Sequence, residues 1–340
     1  MKYNLLGNTG LIVSRLAFGA LTLTKGHPMS GVAKVQGADA DALVGQALDA
    51  GINFFDTADI YAEGQSEEVL GHALASRRDE VIIATKVWHR MGTPLVQAGL
   101  NKRHIEWAVD QSLRRLGTDW IDVYIAHNED PRTPLEETLE ALDAVVRAGK
   151  ARYLGFSNWS AWKVAAALEL QKANGWAQFT HGQMYYSLLG RDIERDLFPL
   201  RARYGIGITA WSPLASGFLS GKYDRAKPLA ADDRLAAIGY MNFDREAGYA
   251  LLDALRAIAA DLGASVAQVS LAWLLAKQVD SVILGASRPE QLADNLAAAD
   301  LALPAEVIAR LDAMTAPPEL YPHWHWRNAA DRAGDEALDR

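Results

Sequence analysis

Four side chains in this sequence have the types and spacing for acid–base work on an oxygen atom: Asp56, Tyr61, Lys86 and His127. Asp56 ends the short apolar run 53–56, and Tyr61 follows it by five residues. Lys86 closes 81–86, a run with no other charge, and His127 closes 121–127. A free tyrosine, with a pKa of about 10, is a poor acid near neutrality, but an adjacent ammonium stabilises its phenolate and makes it a better one. Lys86 is the candidate ammonium, kept charged by Asp56. His127 is placed to donate a hydrogen bond that fixes a substrate oxygen near Tyr61. The four together suit proton donation to a carbonyl oxygen. Lys86 taken by itself suits a Schiff-base aldolase equally well.

This chemistry requires that the ends of three separate runs meet, and the rest of the chain explains how they do. Apolar runs at 16–19, 53–56, 81–86, 121–127, 151–157, 179–183, 207–211 and 282–285 read as buried strands, nearly all followed by segments of helical period. Eightfold alternation of this kind predicts a closed parallel (β/α)8 barrel, with functional groups at the C-terminal ends of its strands. Neighbouring barrel strands lie about 4.8 Å apart, so Asp56, Lys86 and His127 share one mouth, and Tyr61 folds back over it. A dinucleotide-binding Rossmann sheet would want Gly-x-Gly-x-x-Gly after an early strand; Gly205-Ile206-Gly207 instead precedes one.

The chain reads as one domain over 1–340. Residues 1–15 form a small hairpin around Gly7-Asn8-Thr9-Gly10 that covers one barrel end, and 22–38 reads as a long mobile loop. Thr133-Pro134 with Glu136-Glu137 gives a cap signature for the fourth helix, and Gly51 ends the first. Residues 212–245 read as a Gly-rich, Pro-containing connection, and 300–340 begin helical and end in an aromatic tail. Asp59 finds no partner in this reading and is assigned to a loop cap.

Composition narrows the function classes. With 34 Lys and Arg against 42 Asp and Glu the formal charge is −8, which argues against a general nucleic-acid or anionic-membrane surface. Absence of cysteine removes disulfides, thiolate zinc sites and thiol nucleophiles. No run reaches the roughly 18 apolar residues of a membrane span, so a soluble cytoplasmic protein is expected. His323-Trp324-His325 is two thin for a metal site without a third ligand, and none is expected. The oligomeric state is left open.

The chain resembles the aldo-keto reductases, barrel oxidoreductases that reduce aldehydes and ketones with a nicotinamide cofactor. The likeness is carried by Leu16-Ala17-Phe18-Gly19, Gly51-Ile52-Asn53-Phe54-Phe55-Asp56-Thr57-Ala58, Ala84-Thr85-Lys86 and Gly155-Phe156-Ser157-Asn158, then Trp211-Ser212-Pro213-Leu214, Gly221-Lys222-Tyr223 and the stretch from Gly285 to Asn295. It implies the same division of labour: Tyr61 as acid and base, Lys86 and Asp56 as its electrostatic support, His127 as the orienting donor. Some barrel relatives associate with membrane proteins, so a nicotinamide-binding regulatory subunit is the alternative.

The resemblance also implies a cofactor site. Ser157, Asn158 and Gln183 would hold the carboxamide, with Trp211 against the nicotinamide ring and Gly19, Ala20 and Asp56 at the barrel mouth. Ser212, Pro213, Leu214, Gly217 and Lys222 match the pyrophosphate loop, which makes 212–245 the stretch that would cover the cofactor. Gly285, Ser287, Arg288, Gln291 and Asn295 match the place of the adenosine ribose and its 2′-phosphate. NADPH is therefore expected, with NADH as the alternative because the family often has Arg where this chain has Gln291. Trp88, His127, Trp159 and Trp324, with His89 and Tyr185, are the expected walls for a small carbonyl substrate.

Overall fold

A computed structural model describes residues 1–26, 32–227, 233–239 and 242–328. An antiparallel hairpin, β1 (Tyr3–Leu5) and β2 (Ile12–Ser14), precedes a ring of eight parallel strands. These are β3 (Leu16–Gly19), β4 (Phe54–Asp56), β5 (Ile82–Val87), β6 (Ile121–Ala126), β7 (Ala151–Ser157), β8 (Phe179–Tyr185), β9 (Gly207–Trp211) and β10 (Ser281–Leu284). Each pairs with the next in sequence, and β10 closes the ring by pairing Val282, Ile283 and Leu284 with Leu16, Ala17 and Phe18. The fold is the (β/α)8 barrel that the alternation implies.

Helices fill the crossovers: α1 (Ala38–Asp49), α2 (Gln65–Leu74), α3 (Lys102–Leu116), α4 (Leu135–Arg147), α5 (Ala161–Asn174) and α6 (Ile193–Tyr204). After β9 come the short α7 (Arg234–Ile238), α8 (Arg245–Leu262) and α9 (Val266–Leu275). β10 is followed by α10 (Pro289–Ala297), α11 (Ala305–Met314) and α12 (His323–Asn328). The strand period of two sorts the core into two layers. Ala17, Phe54, Ile82, Ala84, Val123, Ile125 and Ile283 pack inside the barrel with Leu6 and Val13 of the hairpin. Their neighbours Leu16, Phe18, Phe55, Ile83 and Tyr124 face outward into the helical layer. Each fully buried large apolar side chain contributes about 1.5–3 kcal/mol, so both layers hold the strand ends in place.

The hairpin closes the end of the barrel away from the site. Gly7 N donates to Asp280 Oδ2 at 3.0 Å, while Arg201 Nη2 reaches Asp280 Oδ1 at 3.0 Å. Gly7 has φ of +57°, and a side chain there would lie 2.6 Å from Gly207 N and 2.7 Å from Thr180 O. Only glycine permits that seat.

Three local expectations change. Where a mobile loop is expected over 22–38, its two ends are tied together: Thr24 N donates to Val35 O at 2.8 Å and Val35 N to Thr22 O at 3.0 Å. Residues 27–31 of that stretch lie outside the described residues, as do 228–232, 240–241 and 329–340. Thr133 does not cap α4; Pro134 takes the cap position and the Thr133 hydroxyl donates to Asp130 Oδ2 at 2.7 Å. The aromatic tail is partly helical, in α12. Among the described residues no single helix is long and apolar enough to cross a membrane; α8 and α9 pass such a test only together, across a bend of 92°.

Candidate active site

Lys86 is fully buried, and its ammonium finds an acceptor for each of its three hydrogens. Nζ donates to Asp56 Oδ2 at 2.8 Å, to Thr57 O at 2.6 Å and to Tyr61 Oη at 3.3 Å. Burial opposes the charge, but Asp56 and Tyr61 outweigh it and hold the Lys86 ammonium above its ordinary pKa. The second oxygen of Asp56 is used as well, since Gln183 Nε2 donates to Oδ1 at 2.7 Å. Register supplies the placement: Asp56 pairs with Gly19 on β3 and Ala84 on β5, and Lys86 lies beside Ile125 on β6.

Tyr61 reaches the mouth because its loop turns sharply. Thr57 N donates to Ala84 O at 2.9 Å, Asp59 N to Lys86 O at 3.4 Å, and Tyr61 N to Ala58 O at 3.2 Å. Ala62, Glu63 and Gly64 then hold positive φ of 49°, 54° and 92°, which reverses the chain into α2. The Tyr61 and His127 rings meet edge to face at 5.9 Å. His127 Nδ1 is buried without a partner among the described residues. Burial first, then Lys86 and His89, hold the imidazole well below its usual pKa, so it is neutral near pH 7.

Beside this group lies a polar ledge at the ends of β7 and β9. Asn158, with φ of +58°, donates from Nδ2 to His127 O at 3.1 Å and to Ser157 Oγ at 3.0 Å. Its Oδ1 accepts from Trp211 Nε1 at 3.1 Å, which fixes the indole; Tyr185 packs on that indole at 5.1 Å. Beyond it, Ser212, Ala215, Ser216 and Gly217 all hold positive φ. Ser216 N donates to Ser212 Oγ at 3.0 Å, and Gly217 N to Leu214 O at 2.9 Å.

The residue 15–316 segment matches the family model described as the aldo/keto reductase family. The chain belongs to that family. A rice protein (Oryza sativa subsp. japonica) named probable voltage-gated potassium channel subunit beta is 37% identical to this aldo/keto reductase over 329 residues, 92% of this chain and 96% of its own. Versiconal hemiacetal acetate reductase of Aspergillus parasiticus is 32% identical over 343 residues, 95% and 99% of the two chains. The uncharacterized oxidoreductase YrpG of Bacillus subtilis (strain 168) is 35% identical over 330 residues, 92% and 95%. Membership makes the protein an oxidoreductase of a family that reduces carbonyl compounds and generally uses a nicotinamide cofactor.

The other residues singled out in this aldo/keto reductase fall into groups. Gly19 sits where a side chain would lie 2.8 Å from Ile283 Cγ2 and 3.0 Å from Leu284 O, and Ala20 O accepts from Ser66 Oγ at 2.7 Å. Lys222 Nζ donates to Asp233 Oδ1 at 2.8 Å, and Pro213 lies in the loop between them and Trp211. At the end of β10, Gln291 Oε1 accepts from Ser287 N at 3.0 Å and Asn295 Nδ2 donates to Gly285 O at 3.5 Å, with Arg288 at the cap position of α10. Trp88 packs edge-on to His89 at 4.8 Å, and His89 to His127 at 4.9 Å, forming one aromatic wall. Trp159 does not join it. It is 3% exposed and packs on Phe156 and Phe179 in the helical layer, behind Ser157. Trp324 is 44% exposed on α12, against Tyr321 and His325. Among the described residues no three His, Asp or Glu side chains gather as a metal site.

Two features escape the sequence reading. Arg234 stands beside Gly285, where a side chain would lie 3.1 Å from Arg234 Nη1, adding a cation next to Ser287 and Arg288. Asp59 is not a loop cap: it is fully buried, and among the described residues neither carboxyl oxygen has a hydrogen-bond partner of acceptable geometry.

Proposed function

We propose that this protein is an NADPH-dependent reductase of aldehydes or ketones, working reversibly, with Tyr61 as the general acid in reduction and the base in the reverse direction. The observation that carries the reading is the set of three acceptors around Lys86 Nζ. Because Lys86 Nζ donates to Tyr61 Oη, the ammonium stabilises the phenolate that forms once the phenol gives up its hydrogen. Asp56, oriented by Gln183, keeps Lys86 charged through the cycle. Neutral His127, with its hydrogen on Nε2, donates to the carbonyl oxygen and holds it for Tyr61.

The residues present fit a nicotinamide dinucleotide, which when bound would supply hydride to the carbonyl carbon. Ser157, Asn158 and Gln183 offer amide and hydroxyl groups for a carboxamide, and Asn158 fixes the Trp211 face against which a flat ring would lie. Ser212, Leu214 and Gly217 belong to a loop whose positive-φ turns and small residues suit close approach of a pyrophosphate, and Lys222, Arg234 and Arg288 would supply positive charge for it. Those cations support NADPH over NADH. An acidic, cysteine-free chain supports a cytoplasmic setting and a small-molecule substrate. Coupled oxidation of NADPH with a panel of aromatic aldehydes, sugars and polycyclic ketones tests the reading; no turnover with any of them counts against it.

The rice relative's name favours a second reading, a nicotinamide-binding subunit of a membrane channel. The intact Asp56, Tyr61, Lys86 and His127 group favours the enzyme, since binding a nicotinamide does not by itself call for a phenol held against an ammonium beside a neutral imidazole.

A further inference from the structure

Behind β5, on the side opposite the Lys86 ammonium, lies a second buried polar group that the reaction does not use. Glu67 of α2 is fully buried; its Oε1 accepts from Thr85 Oγ1 at 2.5 Å and its Oε2 from Arg115 Nε at 2.6 Å. Arg115 of α3 lies along the Tyr61 turn so closely that a side chain at Gly64 would be 2.6 Å from its Cδ. Asp59, fully buried and with neither oxygen in a hydrogen bond of good geometry among the described residues, joins the group, as does the Tyr124 hydroxyl of β6, likewise buried without such a partner. Asp59 N donates to Lys86 O. One residue thus ties the backbone of the Tyr61 loop to the backbone of Lys86 and sends its side chain into the layer behind.

The charges there do not balance if both acids are ionised. Arg115 Nε is committed to Glu67, and the Lys86 ammonium is satisfied on the other side of the strand. A bare carboxylate in such a site is among the most costly groups a protein can bury. We propose that Asp59 is a positioning residue for the Tyr61–Lys86 pair, and that it carries a proton in the folded protein so that one carboxylate, not two, faces Arg115. Burial pushes the Asp59 carboxyl well above the usual carboxylate range and Glu67 adds to this, while Arg115, the Ile60 N–H and Lys86 oppose it. Tyr124 faces the same layer from β6, and burial, with Asp59 and Glu67, keeps its hydroxyl protonated.

The inference rests on the proposed reductase function, but its test does not. A carboxyl that keeps its proton in the folded state and loses it when unfolded makes stability fall as pH rises above about 4. Asp59→Asn is the neutral isostere and lacks that fall. Its melting temperature, minus that of the wild type, should therefore rise by about 3–6 °C from about pH 5 to pH 8. A flat or falling difference means that Asp59 is ionised and overturns the proton. For positioning, Asp59→Asn should keep kcat for 4-nitrobenzaldehyde with NADPH within about threefold. Asp59→Leu should lower kcat at least about tenfold, with NADPH binding unchanged. Equal losses in both variants, or none in Asp59→Leu, overturn it. If the wild type reduces no aldehyde, the functional reading has failed. The Tyr61 phenol titration, taken as wild type minus Tyr61→Phe by phenolate absorbance, then decides: Asp59→Leu should raise its midpoint by about one pH unit and Asp59→Asn should leave it in place.

Discussion

Gln183 Nε2 and Asp56 Oδ1 are 2.7 Å apart although their strands, β8 and β4, stand opposite each other in the ring of eight. The bond spans the barrel and turns Asp56 so that its other oxygen meets Lys86. Gln183→Glu keeps the shape but sets a second carboxylate against Asp56, and two such groups so close share a proton. Aldehyde reduction at about pH 7 should fall at least about tenfold and recover in part at lower pH, where the pair holds its shared proton more fully. A pH–rate profile with the wild-type shape speaks against the role given to this bond.

Tyr61→Phe removes the phenol hydroxyl, and with it one of the three acceptors of Lys86 Nζ, while keeping the ring. Turnover should drop by about 10²–10⁴, while NADPH binding, read from tryptophan fluorescence, changes by less than about twofold. Full activity in this variant means that another group is the acid.

His181 makes the protein sensitive to mild acid. It faces the barrel interior under the site, so close to β7 that a side chain at Gly155 would lie 2.6 Å from its Cε1, and both ring nitrogens are unpartnered among the described residues. Burial, aided by Lys86, holds its pKa down to about 3. Below about pH 6.5 the unfolded chain takes up a proton that the folded one refuses, so stability present above that pH is lost as pH falls towards the folded value. His181→Leu should lose less stability than the wild type between about pH 6.5 and 4, by about 1.4 kcal/mol per pH unit. Urea midpoints across that range measure it, and parallel curves for the two proteins contradict it.

Arg234 and Arg288 set the choice of cofactor in the proposed reading. Replacing both by alanine should weaken NADPH binding by about tenfold or more and NADH binding much less, because only the former carries a 2′-phosphate for a charge-assisted contact. Fluorescence titrations with the two dinucleotides compare them directly. Equal losses place the two arginines elsewhere than at that phosphate.

What could be read from the residues was whatever the chain encodes locally. Apolar runs that end in Asp56, Lys86 and His127 announce strands with polar ends, and parallel register then brings those ends together. Asp59 shows the limit: a carboxylate in a short loop looks like a cap, and only the reversed turn at Ala62–Gly64 and the packing of α2 and α3 bury it. Arg234 was hidden for a related reason, since it lies in a stretch of no sustained period and meets Gly285 through tertiary contact alone. Trp159 misled in the opposite direction; its position after Ser157 suggests the mouth, but the ring turns back to fill space beside Phe179.

The hairpin seated on Asp280 gives the barrel a floor. That floor is a stopper in an already filled column: Leu6 and Val13 join the interior packing from below, and a backbone hydrogen bond and an ion pair to Asp280 anchor it. The polar ends of the strands therefore stand on a footing laid by the first fifteen residues of the chain.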